Sequence, residues 1–475
     1  MAVTRTARIM AVLAAGALTV VSAAGSVAAQ PESSPAESNG FATPPPFDES
    51  WPLPVDTGLP DHDYVLKPPC VESKPQTVTL ESKPWAQEVL RFDELPRFAT
   101  GAGQTVAVID TGVAAHDYLG GRVTSGTDYV DADPEGSRKD CDGHGTEVAG
   151  IIAANPTDDV GFRGIAPNAN ILSIRQSSGT YEFDDPDDNL EAAPAGSLGT
   201  LAMAIINAAN NEDVDVINMS VDSCRQVLEG PINKAEKAVY AAVRYAVEEK
   251  DVVLVTSAGN FPERTCRTQN SSDPRNPTLV VTPPWFSEYV ISVAAMGKDG
   301  VVADFSIQGP WVSVAAPGTE IITLDPASST GLVNVTYGED GKRAPIEGTS
   351  FAAPYVAGLA ALVREKFPNL TAKQVMHRII STASHPAANG GRDNLVGYGM
   401  INPVAALTHH IPEEADQAID TPFEIPPPQE RNWAPMRVAM IGAGGGVGLL
   451  LLTLFVVHTV RRNHREPEGP PRHRI

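Results

Sequence analysis

Four short runs of mostly apolar residues are spaced through the middle of this 475-residue chain, and they set narrow limits on its fold. They cover residues 106–109, 170–174, 215–219 and 252–255. Runs without polar alternation are typical of strands that are buried on both faces of a parallel sheet. Between the last two runs, apolar residues recur at helical spacing over residues 235–248. We therefore predict an α/β fold, a parallel sheet with helices on both faces.

The first 29 residues resemble a signal peptide. Arg5 and Arg8 precede an apolar stretch over residues 9–21, and the small residues 27–29 offer a cleavage site. The alternative is an uncleaved membrane helix, but the apolar stretch is short for a bilayer span. The pattern therefore predicts export of the chain.

A second apolar segment, residues 438–460, predicts a single transmembrane helix over residues 436–460, since about 20 apolar residues span a bilayer. Five arginines follow it (Arg461, Arg462, Arg465, Arg472 and Arg474), whereas only Arg431 and Arg437 flank its other side. By the positive-inside rule, we expect the tail 461–475 in the cytoplasm and the rest of the chain outside the cell membrane.

Composition divides what lies between these segments into three parts. Residues 30–84 and 411–435 are rich in proline and acidic residues, whereas residues 85–410 have a globular composition. We expect an N-terminal extension without a core of its own, a folded domain and a stiff spacer to the membrane. The formal net charge of −23 argues against nucleic acid as a partner.

Three segments bring together the residue types of nucleophilic catalysis. Asp110 ends the first apolar run, His144 lies between two glycines, and Ser350 precedes an Ala-rich helical pattern. Taken singly, they are typical of a turn, a loop and a helix cap. Taken together, they predict a catalytic triad in which His144 takes the Ser350 proton and Asp110 orients the imidazole.

A fourth segment supports the same chemistry. Asn260 follows the run at 252–255, at a strand end where its side-chain amide could donate to an oxyanion together with the Ser350 backbone N–H. The alternative is a simple Gly-Asn turn. We expect no cofactor and no metal.

These four motifs resemble those of the subtilase family of serine proteases over residues 85–407. The order of signal peptide, extension, protease domain, spacer and membrane helix is similar to that of the mycosins, the subtilases of type VII secretion systems. The resemblance implies peptide substrates, association with the secretion membrane complex, and an extension that stays on the enzyme and wraps its surface.

One segment departs from the subtilisin pattern. Ser220, Val221 and Asp222 match the strand end that lines the substrate, where subtilisins have a small apolar residue and two glycines after the serine. With Ser257 and Gly259, they are the predicted substrate-binding residues. The added side chains predict a narrower pocket with a carboxylate at its rim.

An acidic segment, residues 181–191, is the remaining candidate for a binding site. Its carboxylates could bind calcium, as in some subtilases, but their spacing is not that of an EF-hand loop. We favour a solvated loop.

Four cysteines in an exported chain favour two disulfides, with three pairings open. In a subtilase-like sheet the strands before Cys224 and Cys266 are neighbours, so we hypothesise that these two are paired. That leaves Cys70 for Cys141, which would attach the extension near His144.

Three functions fit this sequence. The first is an endopeptidase that processes a few exported proteins, the second is a structural subunit of the secretion complex, and the third is a degradative surface protease. The triad disfavours a purely structural role, and the narrow pocket disfavours the third.

Overall fold

A computed structural model describes residues 40–67, 69–72, 83–183, 193–262, 265–271, 273, 275–337, 343–414, 449–460 and 462. The chain forms two compact units, residues 1–422 and 423–475. The predicted signal peptide, the spacer from residue 415 onwards and most of the acidic segment 181–191 lie outside the described residues.

Helices are interspersed with strands along the first unit. The strands of its described part are β1 (Val65–Leu66), β2 (Thr105–Asp110), β3 (Val123–Asp128), β4 (Asn170–Arg175), β5 (Ser178–Phe183), β6 (Ala193–Ala195), β7 (Val216–Met219), β8 (Ser223–Gln226), β9 (Val253–Ser257), β10 (Leu279–Thr282), β11 (Ile291–Met296), β12 (Val314–Pro317), β13 (Thr323–Leu324), β14 (Leu332–Val333), β15 (Val335–Tyr337) and β16 (Arg343–Pro345). The α-helices are α1 (Trp85–Val89), α2 (His144–Ala153), α3 (Leu198–Asn210), α4 (Lys234–Glu248), α5 (Thr349–Lys366), α6 (Ala372–Ser381) and α7 (Pro403–Thr408).

Seven parallel strands form the central sheet, in the order β12-β11-β9-β7-β2-β4-β3. The four predicted runs became β2, β4, β7 and β9. All six residues of β2 are buried, so both faces of the sheet are covered. The predicted α/β fold with a parallel sheet is confirmed.

The helices that cover the sheet are apolar where they meet it. Helices α2 and α5 pack together against the sheet, and α3 and α4 form a second pair. The predicted helix over residues 235–248 is α4, which begins at a capping box formed by Asn233 and Glu236. Nearly every residue of α5 is buried.

The extension lies along the surface of the same unit. Phe41 stacks on Trp285, and Trp51 packs against Tyr240. Further along, β1 pairs antiparallel with β5, and Cys70 of the extension takes part in a disulfide. These contacts replace the core that the extension cannot build for itself, and they agree with the wrapped arrangement expected from the resemblance.

Two disulfides join distant parts of the unit. Cys70 is bonded to Cys141, and Cys224 is bonded to Cys266, which is the pairing hypothesised from the sequence. The first attaches the extension to the segment before α2. The second joins the segments that follow β7 and β9.

In the second unit, residues 449–460 are helical and their side chains are mostly exposed. Within the part of the chain that the structure describes, none of the helices combines the length and apolarity that a bilayer crossing needs. The remainder of the predicted span, residues 436–448, lies outside the described residues, as does the tail except for Arg462.

Candidate active site

The candidate site lies at the carboxyl edge of the central sheet. Strand β2 lies inside the sheet. The strands that follow it along the chain lie on both of its sides, β4 on one side and β7 and then β9 on the other. Open α/β sheets place their binding crevices at such points. Asp110 is the last residue of β2, and the loops after β7 and β9 emerge beside it.

Asp110 and His144 form a hydrogen-bonded pair. His144 is the first residue of α2, and Gly143 before it has a φ of 91°, which favours glycine at this turn. His144 Nδ1 lies 2.7 Å from Oδ1 of the fully buried Asp110. Because a carboxylate only accepts, the ring donates from Nδ1–H, which leaves Nε2 of the neutral ring as an acceptor.

The same pair shifts the titration of the imidazole. Burial alone lowers the pKa of His144, but the negative charge of Asp110 and the hydrogen bond between them outweigh it and raise the pKa to about 9. The charges of Glu147 and Asp140 act in the same direction.

Asp140 holds the beginning of α2 and was missed by the sequence analysis. Its carboxylate accepts hydrogen bonds from Gly143 N (2.7 Å), Thr146 N (2.8 Å), Thr146 Oγ1 (2.6 Å) and Thr111 Oγ1 (2.8 Å). Burial raises the pKa of Asp140 to about 6, although these hydrogen bonds oppose that shift. Asp140 lies four residues before the helix begins, outside the N-cap position at Gly143, so the usual capping signal does not identify it in the sequence.

Ser350 is the second residue of α5, where the positive end of the helix favours negative charge. The residue is 9% exposed. Its backbone carbonyl accepts a hydrogen bond from Ser220 Oγ at 2.8 Å, and Ser220 Oγ in turn accepts one from Asn218 Nδ2 at 2.9 Å. The end of β7 therefore fixes the position of the serine.

Asn260 is oriented by the residue next to Ser350. Its side-chain oxygen accepts hydrogen bonds from Thr349 N at 2.8 Å and Thr349 Oγ1 at 2.9 Å. These two bonds assign the amide oxygen, so the other end of the amide is the Nδ2 donor. Asn260 and Ser350 line the same cavity.

That cavity has a volume of about 400 Å³. Its lining comes from several elements: His144, Gln176, Ser177, Ala195, Gly196, Ser197, Leu198, Leu201, Ser220, Val221, Asp222, Ser223, Asn260, Thr265 and Ser350. No hydrogen bond joins Ser350 Oγ to His144 in the described structure. Such bonds are often long before a substrate is bound.

Two of the predicted substrate-binding residues do not line the cavity. Ser257 and Gly259 are buried, and Asp222 forms the wall in their place. The reason is that Asp222 Oδ2 accepts a hydrogen bond from Ser257 Oγ at 3.1 Å, so its side chain reaches across to the end of β9. Ser220, Val221 and Asp222 do line the cavity, as predicted.

One cluster has the residue types of a metal site. The Asp222 carboxylate, Cys224 Sγ and Cys266 Sγ lie within 4.8 Å of one another. Both sulfurs belong to one disulfide and are not thiolates, so this cluster is a disulfide beside a carboxylate. Residues 184–191 of the acidic segment, which hold most of its carboxylates, lie outside the described residues.

The arrangement places three chemical functions on one cavity, namely a hydroxyl on a helix N-terminus, an imidazole that can accept a proton and an amide donor, and it places a buried carboxylate behind the imidazole. These are the groups that acyl transfer through a serine requires.

Comparison with known proteins also indicates a serine protease, and the similarity covers most of the chain. Residues 101–399 match the subtilase family. Mycosin-1 of Mycobacterium tuberculosis is 41% identical over 425 residues, which cover 86% of this chain and 92% of that protein.

Two solved structures are similar. One is a serine protease, MycP1, described as an essential component of the type VII (ESX-1) secretion system, with 41% identity and a TM-score of 0.70. The match covers 78% of this chain and 100% of MycP1. The other is a chain of an intact ESX-5 inner membrane complex, with 38% identity and a TM-score of 0.70, covering 88% of this chain and 100% of that one.

Proposed function

The chain belongs to the subtilase family of serine proteases, and on that premise we propose that it is a membrane-anchored endopeptidase of the mycosin type with Ser350 as its nucleophile. In this proposal His144 is the general base, Asp110 orients it, and Asn260 with the Ser350 backbone N–H forms the oxyanion hole. The substrates are a few exported proteins.

Acylation begins when Ser350 Oγ attacks the scissile carbonyl carbon and His144 Nε2 takes the hydroxyl proton. The buried Asp110 carboxylate stabilises the imidazolium that forms, because it lies 2.7 Å from Nδ1. The carbonyl oxygen gains negative charge and accepts hydrogen bonds from Asn260 Nδ2 and Ser350 N.

The tetrahedral intermediate collapses when the C–N bond breaks and His144 returns the proton to the leaving amine. Water then attacks the acyl-enzyme, and His144 takes its proton. Ser350 recovers that proton as the carboxylic acid leaves. Ser220, Val221 and Asp222 bind the substrate on the acyl side of the bond.

The observation that carries this proposal is the hydrogen bond from Thr349 to Asn260. It orients the amide of Asn260 from the residue next to Ser350, so that nucleophile and oxyanion donor are held as a pair. A plain strand-end turn does not need that connection.

Mutation of the triad tests this. Ser350→Ala, His144→Ala and Asp110→Ala should each reduce peptide hydrolysis by several orders of magnitude, and combining them should add little, because triad members act as a unit. A fluorophosphonate should label Ser350 in the native chain. Labelling that persists in Ser350→Ala would rule out this serine.

We also propose that the chain is anchored by one helix at residues 436–460, with the protease domain outside the cell membrane, and associates with a type VII secretion complex. The apolar segment and the arginines after it support the anchor. The similarity to a chain of the ESX-5 inner membrane complex supports the association.

That similarity also favours a second function, a structural role in the complex. The two functions are separated by comparing Ser350→Ala with deletion of the whole gene and measuring secreted proteins by mass spectrometry. Loss of processing in both strains indicates a protease alone. Loss of all secretion only after deletion indicates a structural role as well.

A further inference from the structure

The segments that follow β7 and β9 are the two walls between which an acyl-side substrate residue must fit. Strands β7 and β9 are parallel neighbours with Met219 opposite Thr256, so the residues that follow them stay close together. One wall carries Ser220 and Asp222, and the other carries Ser257 and Gly259. A side chain that enters between them meets the primary specificity pocket.

In this chain the Asp222 side chain already occupies the gap between the two walls. Asp222 Oδ2 accepts the hydrogen bond from Ser257 Oγ, and Asp222 Oδ1 lies 3.6 Å from Cys266 Sγ. The Asp222 side chain therefore spans from one wall to the other. It leaves Ser257 fully buried and separates Gly259 from the cavity.

The space behind Asp222 is also occupied. A Cβ atom built on Gly259 would lie 3.6 Å from Asp222 Oδ1, 3.1 Å from Ile307 Cδ1 and 3.2 Å from Val281 Cγ1. On the side where a Cβ would stand, Gly259 is thus already covered by side chains of the protein itself.

The backbone that carries Asp222 is held on its other side. Ser223 and Cys224 pair with Thr282 and Val281 in the antiparallel β8–β10 ladder, and Cys224 is bonded to Cys266. A cross-link two residues from Asp222 restricts the movement that would open the gap. The fold therefore fixes the backbone position from which the Asp222 side chain reaches across the gap.

We propose that Asp222 is a specificity-determining residue that limits the acyl-side substrate residue, the one that supplies the scissile carbonyl, to glycine, alanine or serine. This inference rests on the proposed function. The carbonyl of that residue lies between Ser350 and Asn260, so its side chain faces Ser220, Asp222 and Thr265, which line the same cavity. A large side chain there overlaps the carboxylate that bridges the walls.

The competing interpretation is that the carboxylate selects lysine or arginine. The observations favour size, because Asp222 Oδ2 is already bonded to Ser257 and Oδ1 faces a disulfide sulfur at the rear of the gap. These two contacts leave fewer acceptor positions on Asp222 for an ammonium or guanidinium group that enters the gap.

The experiment uses the full-length chain and a set of peptides that differ only in the acyl-side residue: Ala, Ser, Leu, Phe and Lys. We expect kcat/KM of the native enzyme to be at least about tenfold higher for Ala than for Phe, which is the scale of discrimination that steric fit provides. Asp222→Gly should raise the Phe-to-Ala ratio about tenfold or more. Asp222→Asn, which keeps the volume and removes the charge, should leave that ratio low.

Asp213→Gly is the matched control. Asp213 is exposed just before β7, at the opposite end of the same strand, and does not line the cavity. It should leave the Phe-to-Ala ratio as in the native enzyme. Fluorophosphonate labelling of Ser350 in each variant reports whether the site is folded.

Three outcomes overturn the inference. A native preference for Leu or Phe contradicts the size limit, and so does an Asp222→Gly variant that is labelled but keeps the native ratio. A preference for Lys that Asp222→Asn abolishes shows recognition of charge instead. If no peptide is cleaved and Ser350 is not labelled, the proposed function itself fails, which is a distinct result.

Discussion

The imidazole of His144 lies among several carboxylates, of which Asp110 is the nearest. Together they raise the pKa of His144 to about 9, against an ordinary value of 6.5. In the proposed mechanism the protonated ring cannot accept the Ser350 proton, so the ionisation of His144 would determine how much of the enzyme is active at neutral pH.

Peptidase activity should accordingly rise with pH well above neutrality. Since the neutral imidazole is the active form, kcat/KM should increase as pH passes the pKa of His144, with a midpoint above 6.5 and close to 9. The measurement is the pH profile of kcat/KM for an alanine-containing peptide. A midpoint at or below 6.5 would contradict the electrostatic environment described here.

Glu147 gives this prediction a second readout. It lies one turn along α2 from His144, and its negative charge adds to the raised pKa of the ring, while burial raises the pKa of Glu147 itself to about 8. In Glu147→Gln that charge is lost, so the rise of kcat/KM with pH should have its midpoint at a lower pH than in the native enzyme. Glu212→Gln, at an exposed residue on another loop, should leave the midpoint of the pH profile unchanged.

At the scale of elements, the segment before α2 connects three parts of the protein. Asp140 caps α2, Cys141 is bonded to Cys70 of the extension, and Asp142 accepts hydrogen bonds from the backbone N–H groups of Gly179 and Thr180 in β5. The extension is thereby attached next to the helix that carries His144.

Loss of the Cys70–Cys141 disulfide should destabilise the protein and release the extension. The bond closes a separation of 71 residues, and loop-closure entropy for loops of this length corresponds to about 3–5 kcal/mol in the free energy of unfolding. Urea unfolding of Cys70→Ser/Cys141→Ser measures that loss. Limited proteolysis should show faster cleavage within residues 40–72.

The other disulfide provides the comparison. Cys224→Ser/Cys266→Ser removes a bond across 42 residues and should cost a similar free energy, yet leave the extension as resistant to protease as in the native chain. Equal protease sensitivity of the extension in the two variants would show that the Cys70–Cys141 bond does not hold it.

The same scale shows what the sequence could predict. The parallel strands and the residues Asp110, His144, Asn260 and Ser350 were predictable because each lies in a short contiguous motif beside an apolar run. The cavity residues Gln176, Ala195, Ser197 and Leu201 were not, because they reach the site only through the packing of the end of β4, β6 and α3 around it.

The pocket was predicted only in part, for a related reason. The replacement of glycine by Asp222 indicated a narrower pocket with a carboxylate at its rim. That the carboxylate would bond to Ser257 and cover Gly259 depends on the direction of one side chain between two strands. Local sequence does not determine such a direction.

For the whole molecule, the proposed anchor makes a prediction about topology. A protease added to the outside of wall-less cells should cut within residues 411–435 and release a soluble, active domain, because that segment is proline-rich and lies between the folded unit and the apolar segment. Ser350→Ala should release the same fragment, which excludes self-cleavage. An epitope tag placed after Ile475 that antibodies reach without permeabilisation would refute the orientation.

The bonds from Thr349 to Asn260 have a consequence for the precision of the whole assembly. The proposed nucleophile, Ser350, and the proposed oxyanion donor, Asn260, are positioned against each other through Thr349. The distance between them therefore does not depend on the exact placement of strand β9 in the sheet. Ser350 and Asn260 should therefore keep their relative position for as long as the contacts at 2.8 and 2.9 Å persist.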